Sequence, residues 1–128
     1  MKLVVTAMLA ALSCGLANAH HSFAMFDMTS EIRLDAVIKS VEWQNPHVWI
    51  NVSVSKDDGT IEEWGLESGA TNTLIRQGWR RDSLKVGERV KIVARPMRNG
   101  SHSGSVMSLT LSDGRVFSLG PQGARVPN

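Results

Sequence analysis

From residue 32 onward, apolar and polar side chains alternate over short stretches. Ile32, Leu34, Ala36 and Ile38 share one parity, while Arg33, Asp35 and Val37 share the other. A two-residue period of this kind predicts a strand with one buried face. The parity then slips, because Val41 and Trp43 carry the apolar set onward. An extra residue near Lys39-Ser40 would produce the slip, so the spacing predicts a bulged and strongly bent first strand. Gln44-Asn45-Pro46 interrupts it, since proline lacks a ladder donor and suits a turn. Residues 47–55 alternate again, with Val48, Ile50, Val52 and Val54 on one face and His47, Trp49, Asn51 and Ser53 on the other. Lys56-Asp57-Asp58-Gly59 is a hairpin signal. It leads into a third strand over 60–67.

The period changes only once. Ala70, Leu74 and Ile75 predict a short helix over 70–77 with Ile75 on its inner face. Ser68 or Thr71 would cap its start, and Gly78 would end it in a left-handed turn. Residues 89–95 predict a fourth strand, and 96–104 a polar, glycine-containing loop. Two last strands, 106–111 and 115–119, flank the turn Ser112-Asp113-Gly114. Three strands, a helix and two or three further strands, the first one bent, predict an all-β domain with one short helix. The order is that of an OB-like small Greek-key β-barrel, with a β-sandwich as the alternative. OB barrels take ligands on the face of their second and third strands, which here carries His47, Trp49 and Asn51.

The first 31 residues follow another logic. Lys2 precedes an apolar run over 3–16, and Ala17-Asn18-Ala19 has the small residues of a signal-peptidase site. The expected organisation is a signal peptide over 1–19, an N-terminal arm over 20–31, a barrel over 32–119 and a flexible tail over 120–128. The run is too short and interrupted to span a bilayer, which takes about 20 apolar residues. Cleavage after Ala19 exports the chain to the periplasm and leaves no transmembrane segment. Lipidation at Cys14 is the competing route, but Ala11-Leu12-Ser13 fits a lipobox poorly.

Composition narrows the functions. Cleavage leaves 109 of the 128 residues, with 13 basic against 12 acidic side chains. That balance argues against nucleic acid as a partner. Cys14 is the single cysteine and departs with the signal, so the mature domain has neither disulfide nor thiolate. There is no Ser-His-Asp order, phosphate loop or H-E-x-x-H motif, so no enzymatic activity is expected.

Cleavage at that site would start the mature chain at His20-His21. An N-terminal amine, the ring beside it and a second imidazole form a histidine brace, a donor set that favours copper. His47 or His21 would complete it. Equally, two histidines at a frayed terminus are merely solvated, and His47 merely bonds a carbonyl. Met25 and Met28 are soft donors suited to Cu(I), or they tuck the arm onto the barrel beside Phe23 and Phe26. His102 reads as a surface residue. Glu67 is the carboxylate best placed for a site, and Arg80 and Arg81 follow the helix. The plain alternative for these three is a surface ion pair worth under about 1 kcal/mol. Trp49 is the tryptophan expected to line a binding surface. The leading expectation is a non-catalytic binding or interaction domain for an unknown periplasmic protein or small ligand. Copper binding is the alternative, and docking through Trp49 and the arginines a third reading.

His20-His21-Ser22-Phe23, Asn45-Pro46-His47, Gly78-Trp79-Arg80-Arg81-Asp82-Ser83-Leu84-Lys85 and Asp113-Gly114-Arg115 together resemble an uncharacterised domain-of-unknown-function family. Its members are small exported proteins of Gram-negative bacteria. The resemblance implies a periplasmic β-barrel domain and no particular activity. Met25 and Met28 fall outside its pattern.

Overall fold

The computed structural model describes residues 24–118. The expected signal peptide, His20, His21, Phe23, Leu119 and the expected C-terminal tail lie outside the described residues. Six strands and one helix follow in the order β1 (Ile32–Glu42), β2 (Trp49–Ser55), β3 (Ile61–Glu67), α1 (Thr71–Arg76), β4 (Arg89–Pro96), β5 (Ser103–Leu111) and β6 (Val116–Ser118). The sheet order is β3-β2-β1-β4-β5-β6. A parallel pairing of Gly65–Glu67 with Ser103–Ser105 joins β3 to β5 and closes five strands into an OB-like barrel. Closure rules out the sandwich.

The bend in β1 lies where the slipped parity placed it, with the β1–β2 register shifting between Ile38 and Ser40. On one side of that shift β1 pairs with β4, and on the other it continues along β2. One strand thus serves both halves of the barrel. The inward parities meet in a single core of Leu34, Ala36, Ile38, Val48, Ile50, Val52, Leu66, Val90, Ile92, Ala94 and Leu109. Each large aliphatic side chain so buried contributes about 1.5–3 kcal/mol.

The helix departs from expectation in two ways. Its N-cap is Ala70, whose methyl cannot cap, and neither Ser68 nor Thr71 does the work. Asn45 Oδ1, from the β1–β2 loop, instead accepts from Thr71 N at 3.1 Å and Thr71 Oγ1 at 2.9 Å. Only Leu74 of the helix is buried, and Ile75 faces solvent. Six residues make under two turns, so one core-facing position is all α1 provides. Gly78 ends it at φ +93°, as its sequence position predicted. Trp79 then enters the core completely and meets Phe117 of β6, with ring centroids 4.3 Å apart.

β5 begins at Ser103, inside the stretch expected to be loop, because Gly104 lets it run tight against β4 and β3. The arm is pinned by Phe26, which is buried and bridges to Met97. Asp27 N donates to Pro96 O at 2.8 Å, and Arg98 N to Met25 O at 2.9 Å. Met25 and Met28 stay exposed, so among the described apolar arm residues Phe26 alone is the anchor.

Candidate functional site

The β2–β3 hairpin sets the site. Its register places Trp49 opposite Glu67 and Asn51 opposite Gly65. Residues facing each other across a sheet share a face, and on β1 the same rows continue to Glu42 and Ser40. The outer face therefore carries one row of Glu42, Trp49 and Glu67, and a second of Ser40, Asn51 and Gly65. Asn51 Nδ2 donates to Ser40 Oγ at 2.9 Å and to Glu42 Oε1 at 3.1 Å. Its Oδ1 turns toward Gly65, 3.5 Å from where a Cβ would stand there, with Trp49 Cζ3 at 4.0 Å from the same point.

His47 immediately precedes β2. Its Nδ1 lies 2.7 Å from Glu67 Oε1 and 3.2 Å from Ser68 O. A carboxylate and a carbonyl both accept, so Nδ1 carries the proton and donates to them. Nε2 makes no hydrogen bond among the described residues, and the side chain is 37% exposed against 10% for Glu67. Backbone bonds from Val48 N to Gly69 O and from Ser68 N to Val48 O hold the two segments together. Asn45 joins this tie through its cap on α1. Asn45-Pro46-His47 thus staples the start of β2 to the end of β3. The ring is a partner of a nearly buried carboxylate as well as of a carbonyl.

Glu67 is not in a surface pair with an arginine. Arg80 Nη1 donates to Trp79 O at 2.7 Å and Ile75 O at 3.3 Å, while its backbone N donates to Ser83 Oγ at 2.8 Å. Arg81 Nη2 reaches Trp43 O at 3.4 Å. Both cations serve carbonyls, mainly at the C-terminal end of the helix, where positive charge is favoured. His47, Trp49, Asn51 and Glu67 are brought to one face, and the two arginines form a separate feature.

His102 has a partner that its loop composition concealed. It stacks on Trp64, centroids 4.8 Å apart and planes 18° from parallel. Glu62 lies below with Oε1 3.9 Å from His102 Nε2. A hydrogen bond from Trp64 Nε1 holds the Glu62 carboxyl below its ordinary range, helped by the charges of Lys56 and His102. The signal for this contact lay in register, since Gly65 N donates to His102 O.

Two buried polar atoms, Ser68 Oγ and Trp79 Nε1, have no partner among the described residues. No three His, Cys, Asp or Glu side chains converge there either. A metal site at His47 would need donors from outside the described residues, where His20 and His21 lie. No helix among the described residues is long and apolar enough to cross a membrane. A groove of about 630 Å³ lies toward the far end of β2, lined by Asp35, Val37, Ser53, Arg89, Lys91 and Thr110. None of the candidate residues borders it.

Neither a curated protein nor a solved structure gives a match to this chain. A family model does match, over residues 8–107. That span takes in β1 to β4, α1, the His47–Glu67 pair and the first half of β5. The chain belongs to DUF6152, a family of unknown function.

Proposed function

We propose that this chain is an exported, non-catalytic binding domain that takes its ligand on the outer face of β2 and β3. The observation that carries the reading is the His47–Glu67 pair, an imidazole fixed through Nδ1 on a side chain 37% exposed, two residues before a half-buried tryptophan on the same strand face. That face is where OB barrels bind. The export signal over 1–19 and the resemblance to exported Gram-negative proteins support a periplasmic location. An anchored imidazole nitrogen suits small polar ligands, and mass spectrometry of protein recovered from the periplasm would identify one that copurifies.

A second reading, copper binding, is favoured by the same pair. Metal-bound histidines as a rule donate their other ring N–H to a carboxylate or carbonyl, and Nδ1 does both here. His47 Nε2 would be one ligand. The amine and ring of His20, or the ring of His21, would supply the others and make a nitrogen set suited to Cu(II). Calorimetry with Cu(II) tests it on protein beginning at His20 and on a form carrying one extra N-terminal residue, which blocks the amine chelate. The expected result is tight binding by the first, weakened in the extended form and in His47→Ala. Equal affinity in all three would eliminate the copper site.

A further inference from the structure

The groove at the far end of β2 has a chemistry of its own. Leu34, Ala36 and Ile38 point inward on β1, so Asp35 and Val37 point outward. Register carries that parity across the sheet. Val37 stands opposite Ser53 of β2 on one side and Arg89 of β4 on the other. Asp35 stands opposite Lys91, which faces Thr110 of β5. One step past the Val90–Leu111 pair puts Ser112 beside Arg89. These side chains line a concavity of about 630 Å³, within the range of small-ligand sites, about 300–1,000 Å³.

The groove gathers hydrogen-bond donors and little negative charge to meet them. Arg89 has no ion pair among the described residues, and the hydroxyls of Ser53, Thr110 and Ser112 have no hydrogen-bond partner there. The acidic residues nearest in the chain are turned elsewhere. Glu88 accepts from Lys85 N at 3.4 Å, and Asp113 accepts from Arg115 Nε at 2.8 Å. Asp35 lies 4.0 Å from Lys91 Nζ, with the two side chains 84% and 80% exposed, so solvent screens that pair heavily. A guanidinium is a rigid fork of donors that matches an oxyanion. Hydroxyls on both sides of it add donors out of the plane of that fork, which suits a tetrahedral phosphate better than a flat carboxylate.

We propose that this groove binds a phosphate monoester carried on a polyhydroxyl body. The phosphate sits over Val37, held by Arg89 with Ser53 and Ser112 on either side. Lys91 adds the second positive charge that a dianion calls for, and Asp35 and Thr110 take the hydroxyls of the body. The site is separate from the His47 face and independent of the copper reading. Ser53 is four residues beyond Trp49 on β2, roughly 14 Å away.

A free sugar phosphate and a lipid headgroup share this chemistry, and the test separates them. Glucose 6-phosphate is titrated into 15N-labelled protein, with glucose and inorganic phosphate as partial probes. Saturable amide shifts should appear at Asp35, Ser53, Arg89, Lys91 and Thr110, and each partial probe should bind more weakly. Affinity should fall about tenfold in Arg89→Gln, the loss of one charge-assisted contact, and should fall again as salt screens the site. Arg89 is exposed, so this variant should keep the wild-type melting temperature. His47→Ala should bind as wild type does. In parallel, phosphatidylcholine vesicles with and without phosphatidic acid are sedimented with the protein. Retention that needs phosphatidic acid and Arg89, without shifts from glucose 6-phosphate, assigns the same site to a lipid headgroup. Inorganic phosphate binding as tightly as glucose 6-phosphate overturns the polyhydroxyl half of the proposal. Neither shifts nor retention, or Arg89→Gln binding within twofold of wild type, overturns the whole.

Discussion

Gly104→Ala should damage the barrel at its closing seam. Gly104 of β5 faces Pro96 of β4 and Leu66 of β3, so three strands meet at its Cα. A methyl there would stand 2.6 Å from Arg95 O, 3.4 Å from Arg95 C and 3.6 Å from Ala94 Cβ. To reach even 3.0 Å the two strands must part by 0.4 Å, and ordinary contact at 3.4 Å requires 0.8 Å. The obstructing atom is backbone, and a packed core yields little. Overpacking of this kind costs about 1–3 kcal/mol. At about 4–8 °C per kcal/mol for a domain of this size, a cost of about 2 kcal/mol lowers the melting temperature by about 8–16 °C. Urea unfolding followed by tryptophan fluorescence gives the free energy directly. Gly65→Ala is the internal control, since its methyl would meet nothing closer than Asn51 Oδ1 at 3.5 Å. It should be neutral or slightly stabilising. If Gly104→Ala unfolds within about 0.5 kcal/mol of wild type, the close approach of β4 and β5 is not a constraint and the argument fails.

Leu74→Ala should cost about 2–5 kcal/mol, because the side chain is fully buried, whereas Ile75→Ala should stay within about 0.5 kcal/mol; paired chemical denaturation curves separate them. Trp79→Ala should cost about 3–5 kcal/mol for the same reason and leave little folded protein at 37 °C by circular dichroism. Acid should destabilise the arm. Hydrogen bonds from Ser30 and Thr29 hold Asp27 down to about 2 from 3.8. The folded value is the lower one, so this contribution is present above about 4 and disappears as pH falls toward 2. Asp27→Asn should flatten the melting temperature against pH over that window, and an unchanged slope would show that the Asp27 turn carries no linkage.

Much of the barrel was readable in the residues because its signals are local. The two-residue period gave the strands, the slipped apolar parity gave the bulge between Ile38 and Ser40, and Gly78 gave the left-handed helix end. What stayed hidden depends on partners distant in the chain. Asn45 caps a helix 26 residues away, a role invisible until the loops are side by side. The face taken by Ile75 could not be read from spacing, because six helical residues do not define a stripe. The His47–Glu67 pair lay in between. Counting outward from the Asp58-Gly59 turn sets Trp49 against Glu67, so the proximity was accessible. Which side chain bends toward which was not.

The pinning of the arm by Phe26 fixes how far any donor ahead of it can roam. Position 20 lies six residues upstream, and an extended chain covers at most about 3.3–3.6 Å per residue, so its reach is about 20 Å. From β4, where Phe26 is held, through β5 and β3 to β2 is three strand spacings, roughly 14 Å. Under the copper reading, a nitrogen at position 20 would have the contour length to reach the His47 face, at an effective concentration in the millimolar range. Freeing Phe26 would move the tether point back toward Ile32 and about double the tether, diluting that nitrogen about threefold. One buried phenyl ring thereby acts as a setting for local concentration.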